Sequence, residues 1–175
     1  FGGSSLKDTD CFHHVSDIIL NVLDQTKAAV VVSAVYGVTN TLHDIITLAQ
    51  KQDLSYQTKL TALLTQHRAL SKTLCESAYH KSFQVLLTKH LQDIKKILSQ
   101  LKQKQTLRLD EEEFIVGHGE LWSAQLLTGL LKKRQQTTTC LDTREFLIVS
   151  HESIGPVVNW IETNKKFDHT VPSAQ

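Results

Sequence analysis

An uninterrupted run of small and β-branched residues at positions 28–34, Ala-Ala-Val-Val-Val-Ser-Ala, constrains the fold of this chain more than any other stretch. A short valine-rich run that is apolar at both alternating sets of positions suits a strand covered on both faces, the interior strand of a parallel sheet. Upstream, Phe12, Val15, Ile18, Ile19, Val22 and Leu23 are spaced to share one face of a helix, and Asp8 or Asp10 can cap its start. Before that helix stands only Phe1-Gly2-Gly3-Ser4-Ser5, a glycine turn with no helix or strand of its own ahead of it. Glycine turn, helix and buried strand form a βα unit without its first strand. An α/β layered fold is therefore expected, with more chain expected before Phe1.

Gly37 and Thr39-Asn40 then read as a turn opening a second helix through Leu42, Ile45, Ile46 and Leu48. From residue 54 to residue 108 the pattern changes. Leu60, Leu63, Leu64 and Leu70 mark one long amphipathic helix, and Leu86, Leu87, Leu91, Ile94, Ile97, Leu98 and Leu101 mark another. This helical stretch far exceeds an ordinary crossover of about 10 to 15 residues. Residues 54–108 are thus expected to be a helical insertion on an α/β body made of 1–53 and 109–175. Lys81, Lys89, Lys95, Lys96, Lys102, Lys104 and Arg108 face only Asp93 in charge, but they are dispersed around the helix and fit a solvated surface.

Asp110-Glu111-Glu112-Glu113 places acids at a helix start, where they complement the dipole. The Gly117-His118-Gly119-Glu120 step is expected to break that helix and open another through Leu121, Leu126, Leu127, Leu130 and Leu131. Residues 137–141 are β-prone, Asp142-Thr143-Arg144 reads as a turn, 146–149 as a short strand and 156–163 as the last helix. The run after it has no closing element, so more chain is expected there too.

Composition narrows the function classes. With 175 residues, 41% hydrophobic and 21% charged, the chain fits one domain or one large piece of a domain. A net charge of +1 gives no support to nucleic-acid binding. No apolar run approaches the ~18 to 20 residues that span a bilayer, and the start is no signal peptide, so a cytoplasmic location with no membrane partner is expected. Cys11, Cys75 and Cys140 are unpatterned and fit reduced thiols rather than a disulfide or metal cluster.

Three stretches carry candidate chemistry. Phe1-Gly2-Gly3-Ser4-Ser5 frees backbone N–H groups toward one point and adds hydroxyls, an anion nest suited to phosphate, although a plain loop has the same composition. Ser33, at the end of the expected buried strand, and Thr39, at the next helix start, flank the crevice where open α/β sheets bind ligands; ordinary caps would look alike. Glu120 lies near a helix N-terminus, where it serves either the dipole or a ligand cation.

Taken together and in order, these stretches resemble aspartate kinase, a member of the amino-acid kinase family. The family's Lys-Phe-Gly-Gly-Thr/Ser-Ser/Val start is matched by Phe1-Gly2-Gly3-Ser4-Ser5. Its Val-Val-Ser-Ala-x-x-Gly-x-Thr-Asn segment is matched by Val31-Val32-Ser33-Ala34 with Gly37-Val38-Thr39-Asn40. Gly119-Glu120-Leu121-Trp122-Ser123-Ala124 matches the Gly-Glu-x-x-Ser-Ala helix start, and Asp142-Thr143-Arg144-Glu145-Phe146-Leu147 resembles the family's Asp-Ala-Arg-Glu/Asp-Phe-Leu. The details look most like the kinase portion of bifunctional aspartokinase and homoserine dehydrogenase enzymes.

The resemblance implies the three-layer α/β/α amino-acid kinase fold, of which this chain would be the N-terminal portion. It implies transfer of the ATP γ-phosphoryl group to the side-chain carboxylate of L-aspartate, an entry step to lysine, threonine and methionine synthesis. By the same resemblance Phe1, Gly2, Gly3 and Ser4 would surround the nucleotide phosphates, with Gly3 and Ser4 acting on the transferring group. Ser33, Ala34 and Thr39 would hold aspartate, and Glu120 would pair with its ammonium. ATP would bring Mg²⁺ with it, and the full-length enzyme would be a homo-oligomer. The family's lysine before Phe1 and the second half of its kinase domain are not in the chain, so the chain is expected to be inactive by itself. Rival readings are a kinase of glutamate, acetylglutamate or UMP, and a non-catalytic module in which the 54–107 helices dock a partner.

Overall fold

The computed structural model describes residues 1–104 and 106–170. It divides into two compact units, Phe1–Thr138 and Thr139–Gln175.

The first unit is mostly helical. A short 3-10 turn, Gly3–Leu6, leads into α1, Thr9–Leu23, capped by Asp8, whose carboxylate accepts from Cys11 N at 3.0 Å. That bond holds the Asp8 carboxyl below its ordinary range. Phe12, Val15 and Ile19 of α1 are buried, whereas Ile18 and Val22 are exposed on the flank of the expected apolar face. α2, Val38–Gln50, begins after Gly37, whose φ of +79° is a left-handed conformation that glycine adopts without a Cβ penalty. α3, Ser55–Leu74, and α4, Ser77–Lys104, are the two long helices expected from the leucine spacing. They pack on α2 and on α6 within this unit, so residues 54–104 share one hydrophobic core with their flanks.

α5, Leu109–Val116, starts with Arg108 N donating to Glu111 Oε2 at 3.1 Å. α6, His118–Lys133, follows at once. The expected glycine break is slight, because Gly117 keeps helical dihedrals (φ −62°, ψ −11°) and its N–H still reaches Glu113 O at 2.9 Å. Arg134, just past α6, pairs with Asp17 of α1. Cys11, Cys75 and Cys140 are reduced thiols, and burial pushes the Cys75 thiol up to about 11.

Residues 28–34 depart from the expectation of a two-faced buried strand. The segment is extended, but its neighbours on the ladder reduce to Phe1, which donates to Val31 O at 2.7 Å and accepts from Ser33 N at 3.0 Å. Val31 is 82% exposed. A strand is buried by the strands and helices beside it, and the described residues place none on its other edge.

Residues 137–141, where the first unit ends and the second begins, form no strand. Asp142 caps a 3-10 turn, Thr143–Glu145, and its carboxylate also takes Arg144 Nη2 at 2.7 Å. The short strand falls slightly later than expected: β1, Val149–Glu152, pairs antiparallel with β2, Gly155–Val158, in the register Val149–Val158 and Glu152–Gly155. Pro156 lies in β2, not in a helix. The last helix, α7, runs Trp160–Thr170 instead of over 156–163, because proline fits an edge strand, and Asn159 Oδ1 accepts from Glu162 N at 3.1 Å at the true helix start. Among the described residues no helix is long and apolar enough to cross a membrane.

Candidate functional site

The three stretches singled out in the sequence meet at one place, around Ala34. The first is the glycine turn. A Cβ on Gly3 would lie 3.1 Å from Ala34 O and 3.7 Å from Tyr36 Cα, so a side chain there would push the turn off the end of the extended segment. Ser5 N donates to Gly2 O at 3.0 Å, closing the 3-10 turn and leaving the N–H groups of Gly3 and Ser4 at its open start. Phe1 ties the turn to Val31 and Ser33.

The second is the segment end itself. Ser33 is exposed, Ala34 and Val35 are buried, and Val38 N donates to Val35 O at 2.9 Å to turn the chain into α2. Thr39, half-buried, sits in the first turn of α2. The hydroxyls of Ser33 and Thr39 make no hydrogen bond among the described residues, whereas Thr41 spends its hydroxyl on Gly37 O at 2.9 Å.

The third is the start of α6. A Cβ on Gly119 would fall 2.8 Å from Ala34 Cβ and 3.3 Å from Val38 Cγ1, a distance that real Cβ atoms do not keep. Glycine at this position therefore lets the helix lie directly against the turn. Glu120 follows in the first helical turn, half-buried, with no ion pair to a described residue. Ser123, wholly buried, places its hydroxyl 2.6 Å from Ser33 O and 2.9 Å from Glu120 O.

Behind this corner lies a ring cluster that sequence reading left out. Trp122 is 1% exposed and stacks edge-on with His67 of α3 at 4.9 Å between centroids, and its Nε1–H donates to His90 Nδ1 of α4 at 3.2 Å. His118 adds contacts to His90 (4.6 Å), Phe114 (4.7 Å) and Trp122 (5.7 Å). It therefore fills the core rather than the crevice, and its Nδ1 lies 2.7 Å from Phe114 O. His67 donates through Nδ1 to Leu63 O at 2.8 Å, and its Nε2 has no hydrogen-bond partner among the described residues. Burial drives its pKa down to about 4. The signal for this cluster was in the sequence, since His67, His90 and His118 fall on the apolar faces of their helices. Spacing alone does not tell a stacked core histidine from a ligand.

The corner can cradle an anion at the Gly3–Ser4 turn, accept or donate hydrogen bonds through Ser33 and Thr39, and offer one carboxylate, Glu120, to a cation. Among the described residues no group of three or more His, Cys, Asp or Glu is placed to hold a metal ion.

The amino acid kinase family model matches residues 1–167, and this chain belongs to that family. It is 32% identical over 169 residues to the chloroplastic bifunctional aspartokinase/homoserine dehydrogenase 2 of Arabidopsis thaliana, an alignment that covers 96% of this chain and 18% of the relative. To the bifunctional aspartokinase/homoserine dehydrogenase 2 of Escherichia coli it is 33% identical over 149 residues, covering 84% of this chain and 17% of the relative. The chain thus spans less than a fifth of the length of the curated relatives it matches. Its fold matches that of E. coli aspartokinase III solved in complex with aspartate and ADP, with a TM-score of 0.78 at 23% identity, over 95% of this chain and 35% of that one.

Proposed function

We propose that this chain supplies the aspartate-binding part of an aspartate kinase, which transfers the γ-phosphoryl group of ATP to the side-chain carboxylate of L-aspartate. The observation that carries the reading is the convergence on Ala34 of the Gly2-Gly3-Ser4 turn, the Ser33–Thr39 corner and the Glu120 helix start. Relatives named as aspartokinases, and a matching fold solved with aspartate and ADP, favour this substrate over glutamate, acetylglutamate or UMP.

In the reaction a carboxylate oxygen of aspartate bonds to the γ-phosphorus while the bond from that phosphorus to the ADP oxygen breaks, giving an acyl phosphate. Such transfer depends on alignment and charge stabilisation more than on covalent help from the protein. Gly2, Gly3 and Ser4, with Phe1 anchoring the turn, present N–H groups to the phosphates, Gly3 and Ser4 to the one in transfer. Ser33, Ala34 and Thr39 hold the aspartate, and Glu120 pairs with its ammonium, which separates an amino acid from a plain dicarboxylate. Mg²⁺ would arrive with ATP, held mainly by the nucleotide's own phosphate oxygens and water, and would supply neutralisation of phosphate charge.

Residues 54–108 act in this reading as a helical insertion between the kinase segments 1–53 and 109–175. The cytoplasm is the proposed location, the plant relatives being named as chloroplastic, and the full-length enzyme is proposed to assemble as a homo-oligomer. The test is ATP consumption with hydroxamate trapping of the acyl phosphate, run on the chain alone and on the protein in which it continues into the rest of the kinase region. Aspartate-dependent turnover is expected only in the longer protein, with Glu120→Gln raising KM for aspartate. Turnover with another carboxylate or with UMP, or none at all, would overturn the reading.

A further inference from the structure

We infer that Ser123 is a positioning residue for substrate: its buried hydroxyl fixes the spacing between Ser33 and Glu120, the two groups that hold opposite ends of the aspartate. This inference rests on the aspartate-kinase reading above. Ser123 is fully buried one helical turn inside α6 and cannot itself touch a ligand in the crevice. Its one hydroxyl proton has two carbonyls in reach, Ser33 O at 2.6 Å and Glu120 O at 2.9 Å. The shorter contact is to Ser33, from an element 90 residues earlier in the chain. A serine inside a helix commonly turns back to a carbonyl of its own preceding turn, and here the same hydroxyl also reaches outside the helix.

The consequence follows from what each carbonyl carries. Fixing Ser33 O fixes the peptide plane next to the Ser33 side chain. Fixing the Glu120 carbonyl to the same oxygen fixes the first turn of α6, from which the Glu120 carboxylate projects. Gly119 against Ala34 sets how closely the helix can approach, since a Cβ there would sit at 2.8 Å. It does not set how far the helix can slide along the segment. Ser123 removes that remaining freedom, and a ligand gripped at both ends senses a slide of either grip.

The experiment is steady-state kinetics of Ser123→Ala, Ser123→Thr and Ser123→Cys, beside Glu120→Gln, in the protein that contains this segment and the rest of the kinase region. For Ser123→Ala, KM for aspartate should rise about tenfold, the scale set by losing one buried hydrogen bond, while kcat and KM for ATP stay within about twofold. Ser123→Thr keeps the hydroxyl and should return KM for aspartate close to its original value. Ser123→Cys keeps the volume with a weaker donor and should fall between, and it carries the test if the alanine protein does not fold. A merely structural serine would lower the melting temperature and the active fraction and leave KM for aspartate unchanged; that result overturns the inference, as does failure of the folded threonine variant to recover KM. If Glu120→Gln also leaves KM for aspartate unchanged, the aspartate-kinase reading fails with it. If Glu120→Gln raises that KM and Ser123→Ala does not, the inference about Ser123 alone falls.

Discussion

Val31 and Leu60 are both aliphatic residues in stretches whose pattern predicts burial, yet Val31 is 82% exposed and Leu60 is 0% exposed. Leu60 belongs to a helix that carries its own backbone hydrogen bonds and meets α2 and α6 within the same unit. Val31 belongs to an extended segment whose only ladder partner among the described residues is Phe1. A helix becomes buried by presenting one stripe to whatever lies beside it, whereas a central strand needs neighbours on two edges and two faces. The helical region of this chain is therefore thermodynamically closed, and the 28–33 segment is open.

Substitutions should respond to that contrast. The largest effect is expected at Trp122, where the closed region is densest. Trp122→Ala removes a fully buried ring packed on His67 and His118 and should cost about 3 to 5 kcal/mol in urea unfolding. A loss under about 1 kcal/mol would mean that the cluster is not packed as described.

Acid should open the same region next. The pKa of His67 falls to about 4 when folded, against about 6.5 when exposed, so the unfolded chain binds the extra proton between those values. Stability from this group is complete above about pH 6.5 and is lost as pH falls toward 4, on the order of 3 kcal/mol in all. His67→Leu should flatten the stability curve across that window, as followed by urea titration at several pH values. An unchanged slope would assign the acid sensitivity to other groups. The smallest effect belongs to the open segment. Val31→Thr should change the stability of this chain by less than about 0.5 kcal/mol, and a loss above 2 would show that the segment is covered in solution.

The helices were legible because the leucine period is a local signal: Leu60, Leu63 and Leu64 lie on the buried face of α3, and Leu87, Leu91, Ile94, Leu98 and Leu101 on that of α4. The β elements were not. Val30, Val31 and Val32 report that a strand is suited to burial, but burial itself depends on partners elsewhere. Pro156 reads as helical in sequence because its apolar neighbours mask an edge strand that ends at Val158. The candidate site residues come from three short motifs, and the structure brings Gly3, Ser33, Thr39 and Glu120 to one corner. Ser123 went unassigned because a serine on a buried helix face looks like any small core residue until its hydroxyl partner is known. The break at Gly117 was legible as well, since one helix ends at Val116 and the next opens at His118, although Gly117 itself keeps helical dihedrals.

The Ser123–Ser33 bond also orders events in time. The two residues are separated by 90 positions, whereas most contacts within α3 and α4 close over a few residues or a single hairpin. Loop-closure entropy delays contacts of long sequence separation, so the helical hairpin should gain protection from hydrogen exchange early in refolding and the crevice late. During synthesis the corner around Ala34 has no counterpart until α6 has left the ribosome. Until then the nascent chain can set its glycine turn against Ser33 and Ala34 but has no Gly119, Glu120 or Ser123 to close the corner, and any ligand that recognises the finished corner arrives too late to guide the first steps of folding.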